Sequence, residues 1–218
     1  MYVYVMMGET DEHHAALAEG LEEKIEQSIG EPCLIIPYSR LTAELVNKIS
    51  PKALIFSGFN PDIQTYDKEQ FRQIDDIVKN ADLPILCICG SHQLLSELYS
   101  KNIDEVDKFY NYPIRRLADG EDGPRLAGER AEYFTADGFF KITKVQDDPI
   151  FEGLNEDMYM RCMHYCEVKE LPEDFVLLAS SGHARVEAMK HGGAHLIWTA
   201  ISPRMLQGAL FGRLCGAG

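Results

Sequence analysis

The sequence contains no long uninterrupted apolar run. None of its hydrophobic stretches approaches the roughly 20 residues that a bilayer-spanning helix needs, so a membrane protein is excluded. Residues 1–7 lack a basic lead and a small-residue cleavage site, and they predict a first β-strand rather than a secretory signal. We therefore expect a protein with no membrane association and a cytoplasmic location.

Basic residues are few relative to acidic ones. The chain has 21 Lys and Arg against 35 Asp and Glu, a formal net charge of -14 at pH 7. This charge repels phosphate backbones and the cationic residues are scattered, so nucleic acid is excluded as a partner. The sequence also lacks internal repeats, low-complexity tracts and a linker. Its length predicts a single domain over residues 1–218.

Cysteine is not scarce, but its pattern does not indicate a disulfide framework. Six cysteines in a chain of this length, without secretory features, are best interpreted as thiols. Cys162, His164 and Cys166 alternate, so on a strand they would share one face that offers metal ligands. Their spacing is not Cys-x-x-Cys and no fourth ligand is evident, so ordinary strand residues are the preferred interpretation. The sequence thus predicts no metal site and no cofactor.

Strand-like apolar runs alternate with helical patterns in the first hundred residues. The runs lie at 2–7, 33–37, 53–56 and 84–89. This alternation predicts an α/β fold whose mostly parallel sheet is flanked by helices on both faces. Residues 132–135 and 139–144 flank Asp137-Gly138 and predict a hairpin. An antiparallel extension is predicted from further short strands at 158–163, 175–179, 185–189 and 196–199.

The run at 84–89 ends on a cysteine and leads directly into a helix-compatible segment. There the thiolate of Cys89 would be stabilised by the helix N-terminus, and adjacent backbone N–H groups would receive an oxyanion. A sharp strand-to-helix turn needs small neighbours, and Cys87, Gly90 and Ser91 are small. The alternative is that Cys89 is a buried small hydrophobe, as most intracellular cysteines are. Taken alone, the position favours this alternative.

Several separated segments carry recognisable motifs. Leu-Cys-Ile-Cys-Gly-Ser-His-Gln occupies 86–93, and Ser-Gly-Phe-Asn-Pro occupies 57–61. Met163-His164 precedes Leu-Pro-Glu-Asp-Phe at 171–175 and Ala-Ser-Ser at 179–181. These segments resemble the Gly-x-Cys-x-Gly-x-Gln motif, the Ser-Gly-Gly-Pro loop and the Ser-His, Leu-Pro-x-x-Phe and Ala-x-Ser segments of class I glutamine amidotransferases. The resemblance implies the flavodoxin-like fold of that family, with a small antiparallel extension.

The resemblance also implies a chemistry. In the family a cysteine thiolate attacks the side-chain amide of L-glutamine, ammonia leaves, and water hydrolyses the glutamyl thioester. By motif position, Cys89 is the nucleophile, and Gln93 and His164 help to hold glutamine. The oxyanion hole falls to backbone N–H groups around Gly58, Phe59 and Gly90. Family members pass the ammonia to a synthase, so a separate synthase subunit is the expected partner.

The family's catalytic histidine and glutamate are missing. They come from a His-Pro-Glu motif on a late strand, where this chain has Ser202-Pro203-Arg204. A serine hydroxyl does not act as a general base and acid near neutral pH, because it does not accept a proton and return it. Arginine does not orient an imidazole as a carboxylate does. We expect very low or absent turnover. Two other functions stay open: a non-catalytic homologue that binds a ligand or partner through the same pocket, and a γ-glutamyl hydrolase-like enzyme.

The genetic code suggests an origin for this ending. Read one nucleotide later, the codons for residues 198–205 permit Gly-x-Gln-Phe-His-Pro-Glu, which is the family pattern in the family position. We therefore hypothesise that residues from about 191 to 218 are a frameshifted amidotransferase C-terminus. Coding DNA that is incompatible with the motif would contradict this hypothesis.

Overall fold

The computed structural model describes residues 1–8, 20–59, 61–121, 128–151, 154, 157–193 and 197–200. A nine-stranded sheet runs through these residues. Its strands, in chain order, are β1 (Tyr2–Met6), β2 (Cys33–Pro37), β3 (Leu54–Phe56), β4 (Ile85–Ile88), β6 (Ala136–Lys144), β7 (Asp157–His164), β9 (Phe175–Ser181), β10 (Ala188–His191) and β11 (Ile197–Ala200). Across the sheet they are ordered β2-β1-β3-β4-β11-β10-β9-β6-β7. A separate two-stranded sheet pairs β5 (Tyr112–Pro113) with β8 (Cys166–Glu167).

The first half of the sheet is parallel and lies between helices. Strands β2, β1, β3, β4 and β11 pair in parallel. The helices that alternate with them are α1 (Leu21–Ile29), α2 (Ala43–Ile49), α3 (Arg72–Asn80) and α4 (Gly90–Ser100). Local signals set two of their ends: Thr42 accepts a hydrogen bond from the Leu45 N–H, and Gly30 ends α1 in the left-handed region.

The central strands bury both of their faces. Leu54 and Phe56 of β3 belong to one apolar cluster, whereas Ile55 between them belongs to another. Because successive side chains of a strand point to opposite faces, the two clusters lie on opposite sides of the sheet. The predicted α/β fold, a parallel sheet flanked by helices and continued by an antiparallel extension, is confirmed. No helix within the described ranges has the length and apolarity to span a membrane.

The second half of the sheet is antiparallel, as predicted, but the expected hairpin at Asp137-Gly138 is wrong. These residues lie inside β6, which pairs with β7 from Ala136 opposite His164 to Thr143 opposite Asp157. Pairing along the whole strand outweighs the turn preference of the Asp-Gly pair. The four later strands are present, the third of them at β10 (Ala188–His191), but the fourth, β11, pairs in parallel with β4 and only its other edge is antiparallel, to β10.

Candidate functional site

Cys89 occupies a strained turn between β4 and α4. Its backbone has φ 53° and ψ -111°, outside the regions that non-glycine residues ordinarily adopt. β4 lies between β3 and β11, and all three strands run in the same direction; Ala200 of β11 pairs with Ile88. The turn therefore projects Cys89 from the carboxyl edge of the sheet, where ligands bind in folds of this class.

The residues that sequence motifs place around Cys89 are brought together. A Cβ on Gly58 would lie 3.0 Å from Cys89 Cβ, and a Cβ on Gly90 would lie 2.9 Å from Phe59 Cδ1. Neither position has room for a side chain without movement. Gly58 thus packs closely against Cys89, where its added Cβ would lie only 3.6 Å from the thiol sulfur, and Phe59 packs against Gly90.

Hydrogen bonds hold the loop that precedes Phe59. The Met7 N–H donates to Ser57 Oγ over 3.0 Å, and Ser57 Oγ donates to the Gly58 carbonyl over 2.9 Å. Ser91, where the family motif has glycine, donates its hydroxyl to the Ser57 carbonyl. This departure from the motif therefore links α4 to the loop. Cys87, at the other glycine position, is buried in the core.

The Cys89 thiol lies in a setting that disfavours its thiolate. The side chain is half-buried, and burial raises its pKa to about 11, an effect that the Gly90 N–H partly offsets by hydrogen bonding to the sulfur. Among the described residues, no side chain forms a hydrogen bond with Cys89 Sγ. The described residues thus place Cys89 at the nucleophile position but include no side chain that accepts its proton.

Two histidines near Cys89 are held by backbone carbonyls. His92 is fully buried in α4, its Nε2 lies 3.1 Å from the Val186 carbonyl, and burial lowers its pKa to about 3. His164 Nδ1 donates to the Cys166 carbonyl over 2.9 Å, and burial lowers its pKa to about 4. Both rings are therefore neutral near pH 7. Of the two, His164 lines the cavity beside Cys89.

That cavity has a volume of about 220 Å³. Gln93, which is predicted to contact the substrate, lines this cavity. Both polar groups of its carboxamide already form hydrogen bonds within the protein. Its NH2 donates to the Cys166 carbonyl over 3.1 Å, and its oxygen accepts from Asn111 Nδ2. Gln93 thus fixes the cavity wall, and Asn111 is a partner that the sequence did not reveal.

The cavity also has a charged pair, Asp62 and Arg130, that no sequence motif indicated. Arg130 lies 3.0 Å from Asp62 and 5.0 Å from the ring centre of Tyr165, whose hydroxyl donates to Asp62. All of them line the cavity. They come from three distant segments without a shared motif, so only the tertiary structure brings them together. Ser202 and Arg204, the predicted replacements of the triad, lie outside the described residues, as does Asn60 of the loop.

The family model for Glutamine amidotransferase class-I matches residues 21–198. The chain belongs to the class I glutamine amidotransferases. It is 32% identical over 166 residues to a subunit of the glutamine-hydrolyzing GMP synthase of Pyrococcus abyssi, covering 75% of this chain and 71% of that protein. The same identity over 166 residues relates it to the corresponding subunit from Methanocaldococcus jannaschii, with 75% and 70% covered.

A solved structure gives the same fold. A glutamine amidotransferase from Thermotoga maritima superposes with a TM-score of 0.61 at 15% identity, covering 94% of this chain and 76% of that one. The resemblance inferred from the motifs is confirmed at the level of family and fold. The match to the family model ends at residue 198, before Ser202 and Arg204.

Proposed function

We propose that this chain binds L-glutamine in the cavity beside Cys89 and belongs to the type of two-subunit assembly in which, in active family members, a separate synthase receives the ammonia. The observation that carries the proposal is the position of Cys89, on a strained turn at the carboxyl edge of the sheet, against the Gly58 backbone. The names of the GMP synthase relatives support the glutamine-hydrolysing type of subunit. The acceptor of the ammonia is a nucleotide synthase on the same ground.

The cavity offers charges of both signs to an amino acid. The carboxylate of Asp62 and the guanidinium of Arg130, which pair with each other over 3.0 Å, both line it. A zwitterionic substrate places an ammonium group beside the first and a carboxylate beside the second, and Arg recognises carboxylates through paired N–H donors. Glutamine bound in this way directs its side-chain amide toward Cys89.

The reaction itself requires a proton to move. The Cys89 thiolate bonds to the amide carbon, the oxygen takes the negative charge near the N–H groups of Phe59 and Gly90, and the C–N bond breaks once the nitrogen has received a proton. Water then cleaves the thioester to glutamate. In this chain the thiol keeps its proton, since burial raises its pKa to about 11, and Ser202 holds the place of the family's base. We therefore propose that the protein with this sequence hydrolyses glutamine very slowly or not at all.

A non-catalytic glutamine-binding homologue is the second candidate. It is favoured by Ser202 and Arg204, which stand at the positions of the catalytic histidine and glutamate. Such a protein retains the cavity and the partner but hydrolyses nothing.

Two measurements on the full chain test the proposal. Titration calorimetry with L-glutamine reports binding, and Asp62→Asn or Arg130→Gln is expected to weaken it at least tenfold, because each removes a charged hydrogen bond worth about 1.5–3 kcal/mol. Glutamate release is then measured for the chain and for Cys89→Ala. Absence of glutamine binding would contradict the substrate assignment, and robust release that depends on Cys89 would contradict the slow turnover. Release from γ-glutamyl peptides but not from glutamine would favour the hydrolase alternative.

A further inference from the structure

Three side chains with metal-binding atoms converge beside the antiparallel part of the sheet. They are Cys162 and His164 of β7 and His183 of the turn after β9, and their candidate ligand atoms all lie within 4.8 Å of one another. The sequence placed Cys162, His164 and Cys166 on one face of a strand. In the structure the third member of the cluster is His183, not Cys166. Cys166 lies in β8, in the second sheet.

Polar atoms in this cluster are buried without partners. His164 is only 6% exposed, and its Nε2 makes no hydrogen bond with the residues that the structure describes. His183 Nε2 and Glu187 Oε1 are buried and lack hydrogen bonds in the same part of the chain, although they lie 3.3 Å apart. A buried polar atom without a partner costs about 1–3 kcal/mol, so the bare Nε2 of His164, next to the other two candidate ligands, indicates an occupant.

The tautomer of His164 identifies the occupant's chemistry. Its Nδ1 lies 2.9 Å from a carbonyl oxygen, which only accepts, so Nδ1 carries the proton and Nε2 presents a lone pair. A lone pair needs a proton donor or a cation. Histidines that bind metals commonly donate their other ring N–H to a backbone carbonyl in this way.

We propose that Cys162, His164 and His183 bind one divalent cation of the zinc class. A thiolate and two imidazoles are ligands that Zn²⁺ prefers, and three protein ligands leave one position open for water or another small ligand. The Glu187 carboxyl group lies 3.3 Å from His183 Nε2, where it is placed to accept that imidazole N–H and orient the ring. When the metal–sulfur bond forms, the Cys162 thiol, which now donates weakly to the Met160 carbonyl at 3.7 Å, releases its proton to solvent.

The geometry requires only a modest adjustment. Zinc bonds of about 2.0 Å to nitrogen and about 2.3 Å to sulfur place tetrahedral ligand atoms roughly 3.3–3.5 Å apart. The present separations of up to 4.8 Å therefore close by about 1 Å or slightly more. Cys162 and His164 are two residues apart on one strand that is paired along its length, so the closing movement falls mainly to His183.

Metal content tests the site directly. The full, reduced chain is stripped with a chelator, incubated with ZnCl2, separated from free metal and analysed for zinc per chain. We expect one tightly held equivalent, and a loss of affinity of about 100-fold or more in Cys162→Ser and in His183→Gln, since even outer-shell changes cost 10–100-fold. Cys33→Ser, which alters a buried cysteine of β2, and Cys89→Ser are matched controls that keep the zinc. Cobalt(II) reports the sulfur ligand through a thiolate-to-metal absorption band that Cys162→Ser abolishes.

Circular dichroism shows whether each variant is folded, and His183→Gln, which changes a turn residue, carries the test if Cys162→Ser unfolds. A wild-type chain without stoichiometric zinc, or folded Cys162→Ser and His183→Gln variants that retain it, would overturn the inference. The readout needs no glutamine, so it succeeds or fails independently of the proposed function.

Discussion

Phe59 and Gly90 are in contact across the turn that carries Cys89. A Cβ on Gly90 would lie 2.9, 3.0 and 3.1 Å from three carbons of the Phe59 ring. The ring also packs edge-on against Tyr66, with 5.6 Å between ring centres. The bulky residue that replaces a family glycine is therefore accommodated because the residue after the nucleophile has no side chain.

This contact predicts a coupling between the two positions. Gly90→Ala is expected to reduce the free energy of unfolding by about 1–3 kcal/mol through overpacking, despite the better helix propensity of alanine. In the Phe59→Ala background the same change should cost less, with a coupling energy of about 0.5–3 kcal/mol. Urea denaturation of the four proteins in the cycle measures it. Equal costs in both backgrounds would show that the ring does not restrict Gly90.

Cys89 is predicted to react slowly with alkylating agents. Because the thiolate is the nucleophile and burial raises the thiol pKa from 9.0 to about 11, the thiolate fraction near pH 8 falls about 100-fold. Iodoacetamide labelling followed by peptide mass analysis gives the rate at this site, with Cys89→Ser marking its peptide. The rate should rise with pH throughout the range in which the protein stays folded. A rate that levels off near neutral pH would mean that the thiol is activated by residues beyond the described ranges.

The C-terminal segment is predicted to be the cause of low turnover. A restored-frame protein with Gln-Phe-His-Pro-Glu at 200–204, and as a smaller change Ser202→His with Arg204→Glu, returns a base to the position after β11. General acid–base catalysis contributes about 10²–10⁴-fold, so glutamate release should rise by that factor. Cys89→Ala in the restored protein is the matched control and should abolish the gain. A restored protein as inactive as the written chain would refute the frameshift account.

His92 is predicted to make stability depend on pH. Burial lowers its pKa from 6.5 to about 3, so between these values the unfolded chain binds more protons than the folded one. The stabilisation is fully present above pH 6.5 and is lost as the pH falls toward 3. At pH 4.5 the loss amounts to about 2–3 kcal/mol from this residue.

Guanidinium denaturation at pH 7.5 and pH 4.5 measures this effect, with His92→Gln as the comparison. The variant should lose less stability between the two pH values, although it is less stable at pH 7.5 because the bond to Val186 changes. An unchanged pH dependence would mean that other groups cause the acid sensitivity.

Sequence patterns alone determined the alternation of strands and helices and the turn at Cys89. Periodicity, small residues and motif spacing are local features of the sequence. They were therefore sufficient to predict β4, α4 and the position of Gly58 next to Cys89. The family followed as well, because its motifs are contiguous. The Asp137-Gly138 hairpin failed for the opposite reason: local turn chemistry was outweighed by pairing with β7, where Asp137 lies opposite Met163 and Gly138 opposite Cys162.

Only the tertiary structure decided which distant side chains meet. Asp62, Arg130 and Tyr165 line the cavity beside Cys89, and His183 completes a cluster with Cys162 and His164. Nothing in their spacing indicated these contacts, because they depend on how strands from separate segments lie next to one another in the sheet. The same holds for protonation: burial raises the pKa of Cys89 and lowers that of His92, and burial is a property of the folded chain.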